Sequence, residues 1–310
     1  MKIGLGIGEI AGRPAPLEEL IAQAQQAERD GFASGWLAHI FGIDAMTAVA
    51  LIGRETSRLA LGTAVVPTFT RHPVAMAQQA LTAQAATHGR FSLGIGLSHQ
   101  VVIEFMLGLS FAKPFTHMKE YLAVLAPLIR TGAVSYQGSE YRVNANVKVP
   151  QAEPCPILLA ALAPKMLALA GAEADGTVTW MTGPKTLREY TIPRINEAAA
   201  KAGRPRPRVV VGLPIAVTAD VAAARESAGR AFQVYGGLPS YRAMLDREGV
   251  AGPADVAIVG DEDAVGEQLQ HLASIGVTEL VATPFVVAKD TAALERTRAA
   301  LVKFARDHRE

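Results

Sequence analysis

The chain has 310 residues, of which 50% are hydrophobic and 19% charged, with a formal net charge of +1, so apolar content is ample for a sizeable core. Its Lys and Arg residues are scattered, which argues against a dedicated nucleic-acid or anionic-membrane surface. The lone Cys155 excludes an internal disulfide and a cysteine-based zinc site, and no stretch approaches the roughly 18 apolar residues of a membrane span.

The first segment, "MKIGLGIGEIAGRP", holds one lysine and a glycine-interrupted apolar run ended by Glu9. It lacks a signal-peptide core, and a soluble cytoplasmic protein is the expectation. "KIGLGIG" (2–8) predicts a strand, followed by a helix with Leu17, Leu20, Ile21, Ala24 and Ala27 three and four apart. "GWLAH" (35–39) predicts the second strand, with Asp44 as N-cap of the helix after it. "LALGTAVV" (59–66) is the third, stopped by Pro67, and Pro73 suits the first position of an Ala/Gln-rich helix. "FSLGIGL" (91–97) precedes a helix carrying Met118, Tyr121, Leu122, Leu125, Leu128 and Ile129.

The alternation is then interrupted. Residues 132–150 alternate around turn residues and predict an inserted β-hairpin. It resumes with strands at 156–162, 176–182, 208–218 and 279–285, and with helices from Lys165 to Gly171, from Pro184 to Gly203, after 218 and over 261–276. Asp290 is expected to cap the last helix, and 236–254 is punctuated by glycine and proline. Eight nearly continuous apolar strands with intervening helices predict a parallel sheet covered by helices, in the form of a single-domain (β/α)8 TIM barrel over 1–310. The runner-up is a doubly wound sheet, since "GLGIG" (4–8) and "GIG" (94–96) sit at strand ends. Neither continues into the third glycine and acidic residue of a dinucleotide fingerprint.

In a barrel the chemistry sits at the C-terminal ends of the strands. Those positions hold Glu9, His39, Ala64 to Val66, Leu97 to His99, Leu162 to Pro164, Trp180 to Thr182, and Thr283 with Pro284. His39 and His99 are equally well explained as hydrogen-bonded rim residues, and Glu9 as a solvated loop charge. His72, His88, His117, His271 and His308 show no paired metal-ligand spacing, and no GxSxG elbow or phosphate loop occurs. So apolar a mouth suits a flat organic cofactor that carries the chemistry itself. Pro164 near a helix start leaves backbone N–H groups free to receive a phosphate.

The segments "IGLGIG", "LGTAVVPTFTRHP", "GRFSLGIGLSHQ" and "AALAPKMLALAGAEADG", in this order and spacing, resemble the luciferase-like flavin and deazaflavin oxidoreductases over essentially the whole chain. Within them the chain looks most like the branch that uses coenzyme F420, an 8-hydroxy-5-deazaflavin. The resemblance implies a (β/α)8 barrel with insertions, a homodimer, and hydride transfer between the deazaflavin C5 and a small, apolar organic substrate. It implies that His39 delivers a proton or orients the ring, with Ala38 standing where the family commonly has Asp. It places a non-prolyl cis peptide at Ala64–Val65, behind the ring. Leu97, Ser98 and His99 match the loop after the fourth strand, where some members carry a catalytic Glu. Leu162 and Ala163 match a pair whose amides hold the cofactor phosphate, and Thr182 and Gly183 match the rim near its tail. No metal is implied. The alternatives are an FMN-dependent monooxygenase on the same barrel and a non-catalytic deazaflavin-binding protein.

Overall fold

The computed structural model describes residues 1–8 and 15–307; Glu9 and His308 lie outside the described residues. Lys2–Ile7 (β1) leads to Leu17–Asp30 (α1), Ser34–Leu37 (β2) to Ala45–Glu55 (α2), and Ala60–Thr63 (β3) with the short Val66–Pro67 (β4) to Pro73–Ala86 (α3). Phe91–Gly96 (β5) precedes a π-helical turn, Val101–Met106, and the helix Pro114–Arg130 (α4). Next come Ala133–Gln137 (β6) and Arg142–Asn146 (β7), then Ile157–Leu159 (β8), Pro164–Glu173 (α5) and Gly176–Trp180 (β9). Pro184–Thr186 (α6) and Ile192–Lys201 (α7) flank a π-helical stretch, so the single helix expected from Pro184 to Gly203 is broken in pitch. Arg208–Val217 (β10) is followed by Val221–Ala231 (α8), Gln233–Gly237 (α9) and Pro239–Glu248 (α10). Ile258–Gly260 (β11), Glu262–Ser274 (α11), Glu279–Pro284 (β12) and Ala293–Asp307 (α12) complete the order.

Eight parallel strands close in the order β1-β2-β3-β5-β8-β9-β10-β12, and β12 returns to β1 with Lys2 opposite Glu279 and Leu5 opposite Ala282. This is the (β/α)8 barrel that the alternation predicts. β6 and β7 pair antiparallel outside it. β11 adds to the end of β10, with Ile215 opposite Ile258, and was not legible because three residues carry no periodicity. Asp44 caps α2 by accepting the Thr47 N–H at 2.9 Å. Asp290 stands in the turn that leads into α12: its Oδ1 accepts the Ala292 N–H at 3.2 Å and its carbonyl the Ala293 N–H at 3.4 Å, while its Oδ2 accepts the Thr218 hydroxyl at 2.6 Å and the helix runs from Ala293.

The apolar residues divide into two layers. The larger packs helices on the outside of the barrel and includes Leu20, Val49, Ile52, Met76, Leu125 and Leu167. The smaller fills the barrel itself with Trp36, Leu158, Val178, Val210 and Val281. Trp36 reaches across this interior because Gly62 has no side chain; a Cβ there would stand 2.4 Å from the indole ring. Below it the N-terminal end is closed by a polar plug. Glu279, 3% exposed, accepts from the Ser34 hydroxyl, from Trp36 Nε1 at 2.7 Å and from Arg208 Nη2 at 3.0 Å. Arg208 also donates to Ser92 at 2.9 Å. With its lower end filled, the barrel is open toward the C-terminal ends of its strands.

Candidate active site

A cavity of about 930 Å³ opens at that end, with Trp36 at its floor. Two strand glycines, Gly6 and Gly212, line it and keep it wide, and Gly96 backs the lining residue Val65: a Cβ on Gly212 would come within 2.7 Å of the Trp180 ring, and one on Gly96 within 2.6 Å of Val65. The Ala64–Val65 peptide is cis, and both residues line the cavity. Ser98 (φ 61°) and Met181 (φ 54°) adopt the left-handed conformation where β5 and β9 turn into their loops. Across from β3 the wall is aromatic: Trp180 meets Phe232 and Tyr235 edge-on at 5.9 and 5.8 Å, and Tyr241 lies 5.3 Å from Tyr235 and 5.4 Å from His99. Burial lowers the proton affinity of His99 and raises that of the Tyr241 hydroxyl, so both are held neutral.

Of the residues singled out in the sequence, the structure brings His39, Ala64, Val65, Ser98, His99 and Leu162 together on the cavity wall. Leu97, Ala163, Thr182 and Gly183 stand outside this lining. Ala163 is the N-cap of α5, where Pro164 supplies no N–H and no side chain caps the turn. Among the described residues the Lys165 and Met166 amides have no acceptor. Thr182 is buried, and the helix start beyond Gly183 is filled from within the chain. The Glu248 carboxylate accepts the Lys185 N–H at 3.0 Å and the Thr186 N–H at 2.7 Å.

His39 follows β2 and has two charged neighbours. Its Nδ1 accepts the Ala45 N–H at 3.2 Å and lies 3.7 Å from Asp44 Oδ2, while Nε2 is 3.4 Å from Arg71 Nη1. Arg71 also donates to Asp44. Burial first, then Arg71, lower the proton affinity of the ring; Asp44 opposes them. Sequence spacing identified Asp44 only as a helix cap, because its approach to His39 depends on how the 38–44 loop folds back. Trp180 Nε1 is a second signal: it is buried, has no hydrogen-bond partner among the described residues, and belongs to a cavity-lining side chain. No cluster of three or more metal-ligating side chains occurs among the described residues. No helix among them is long and apolar enough to cross a membrane.

The structure is thus a closed parallel barrel with an apolar chamber at the C-terminal ends of its strands, lined by His39, His99 and Trp180. The chain belongs to the luciferase-like monooxygenase family, whose model matches residues 4–301. A Mycobacterium tuberculosis protein, whose name gives it provisionally as a coenzyme F420-dependent oxidoreductase, is 30% identical over 91% of this chain and 95% of its own length. The 5,10-methylenetetrahydromethanopterin reductase of Methanolobus tindarius is 27% identical, over 86% of this chain and 90% of its own. Among solved structures, the coenzyme F420-dependent tetrahydromethanopterin reductase from Methanopyrus kandleri superposes with a TM-score of 0.81 at 23% identity, covering 100% of both chains.

Proposed function

We propose that the protein is a coenzyme F420-dependent oxidoreductase acting on a small, uncharged, apolar organic substrate. The carrying observation is the chamber itself: about 930 Å³, mostly apolar, with Arg71 as the one cationic side chain lining it among the described residues and that charge paired with Asp44. The residues present fit the deazaflavin. The glycine-widened floor takes a flat ring, and the unpartnered Trp180 Nε1 offers it a donor. The uncapped first turn of α5, flanked by Leu162 and Ala163, offers N–H groups and the Lys165 side chain to a phosphate. With Glu248 on the neighbouring helix start, the phosphate falls to α5 rather than to Thr182 and Gly183. The Mycobacterium tuberculosis relative named for the same coenzyme supports this reading.

When bound, the coenzyme supplies a hydride carrier at C5 of its deazaflavin. The chain's own part is then limited. Ala64 and Val65 back the ring, His99 and Tyr241 narrow the mouth, and His39 holds or moves the proton that accompanies the hydride. Among the described residues no second cationic side chain lines the chamber, which disfavours a phosphorylated substrate.

The test is titration of the purified protein with oxidised coenzyme F420 and, separately, with FMN, followed by fluorescence. Saturable F420 binding with weaker FMN binding is expected. Tight FMN binding without F420 binding overturns the reading in favour of a flavin monooxygenase. Turnover of uncharged alcohols and activated alkenes with the bound coenzyme then separates an enzyme from a deazaflavin carrier.

A further inference from the structure

Position 38 is alanine, so no carboxylate precedes His39 in the chain. The fold supplies one from elsewhere. Asp44 caps α2 with Oδ1, which takes the Thr47 N–H at 2.9 Å and its hydroxyl at 3.1 Å. That leaves Oδ2 to face His39 Nδ1 at 3.7 Å and to receive Arg71 Nη2. Arg71 is itself immobilised, since its Nε donates to Gln79 at 3.0 Å and its carbonyl accepts the Tyr121 hydroxyl at 3.0 Å. The His39 and Arg71 side chains are each only 16% exposed.

The imidazole is therefore bracketed. The Ala45 N–H points at Nδ1 and the Arg71 guanidinium lies against Nε2. A neutral ring has one acceptor nitrogen to offer to these two donors, whereas an imidazolium has none. Asp44 alone favours the protonated ring, and Arg71 and Asp44 are the charged groups that act on it among the described residues.

We infer that Asp44 and Arg71 are a positioning pair for His39: Asp44 Oδ2 faces Nδ1, the Arg71 guanidinium faces Nε2, and together they fix the ring at the cavity wall. Arg71 keeps the resting ring neutral and able to take a proton. Asp44 stands ready for the imidazolium once it forms. Resting on the coenzyme reading, the consequence for a substrate alcohol is balanced. With the coenzyme bound to accept the C–H hydride, His39 would take the O–H proton as the C–O single bond becomes a carbonyl; reduction would return both.

The decisive experiment needs no cofactor. The full-length protein with isotope-labelled histidine is titrated by NMR, and His39 is assigned by the signal missing from His39→Gln. Arg71→Gln is expected to raise the His39 midpoint by about half to one pH unit, and Asp44→Asn to lower it by a similar amount. Asparagine is as good an N-cap as aspartate, so α2 is preserved; Asp44→Ser is a second charge-free cap should the first variant fold poorly. Arg71→Lys restores the wild-type direction. Shifts of the same sign in both charge-removing variants, or no shift in either, overturn the inference whatever cofactor is bound. With turnover in hand, the acid limb of kcat/KM for alcohol oxidation moves up in pH in Arg71→Gln and down in Asp44→Asn. If coenzyme F420 fails to bind while the NMR shifts appear, the cofactor reading falls and the positioning pair stands.

Discussion

Replacing Glu279 by alanine removes the keystone of the barrel's lower end. Its carboxylate accepts three donors, Ser34 Oγ, Trp36 Nε1 and Arg208 Nη2, and is almost wholly shielded from water. Breaking a buried ion pair costs about 3–5 kcal/mol when the surviving charge is stranded. Here the loss is softened on two counts. Trp36 Nε1 and Ser34 Oγ remain bonded to each other at 2.9 Å, and Arg208, 36% exposed, keeps Ser92 and reaches solvent. The expected loss is therefore about 3 kcal/mol, which for a protein of this size lowers Tm by about 5 °C. Glu279→Gln keeps an acceptor for Trp36 and should lose roughly half as much, about 1.5 kcal/mol. Urea unfolding followed by tryptophan fluorescence measures both, with Trp36 as the near reporter. Because Trp36 also forms the cavity floor, coenzyme affinity should fall in the alanine variant. A Glu279→Ala protein within about 1 kcal/mol of wild type, or a Gln variant as damaged as the Ala variant, would refute the assignment of the plug.

Two further outcomes follow from the same geometry. Gly212→Ala puts a Cβ 2.7 Å from the Trp180 ring and 3.2 Å from the Thr179 carbonyl, so Trp180 must move within the chamber. Overpacking of this kind costs about 1–3 kcal/mol, and coenzyme affinity should weaken about tenfold; an unchanged titration curve contradicts the role given to that glycine. His117 is 7% exposed, stacks on Phe69 at 3.9 Å, and bonds Thr68 at 2.9 Å and Tyr141 at 3.3 Å; burial holds its pKa down to about 4. The unfolded chain then binds the extra proton more readily, so this contribution is complete above about pH 6.5 and is lost as pH falls toward 4. Unfolding free energies measured across that window should slope less in His117→Gln than in wild type; equal slopes would show that His117 is not the group responsible.

The same network shows why parts of the site were hidden. His117 and Tyr121 lie on α4, Tyr141 sits in the turn between β6 and β7, and Thr68, Phe69 and Arg71 belong to the loop after β4. In sequence these look like six unrelated polar and aromatic residues. In the fold they brace the loop that carries Arg71 to His39. Glu248 is hidden in the same way: 62 residues separate it from the Thr186 amide it caps.

The sequence determined the barrel, because each of the eight strands is buried on both faces and so reads as an apolar run, while each intervening helix shows one apolar side. It also marked His39, Ala64, Val65, Ser98, His99 and Leu162, since the ends of such strands are where a barrel presents its chemistry. Tertiary structure alone decided which charges meet. Asp44 reaches His39 through a loop, Arg71 through the packing of a different strand, and Glu279 meets Trp36 only when the last strand closes on the first two. Hydrophobic periodicity repeats every few residues and is written locally. Polar contacts such as those of the plug depend on distances of a few ångströms between side chains as far as 245 positions apart, and only the closed barrel sets those.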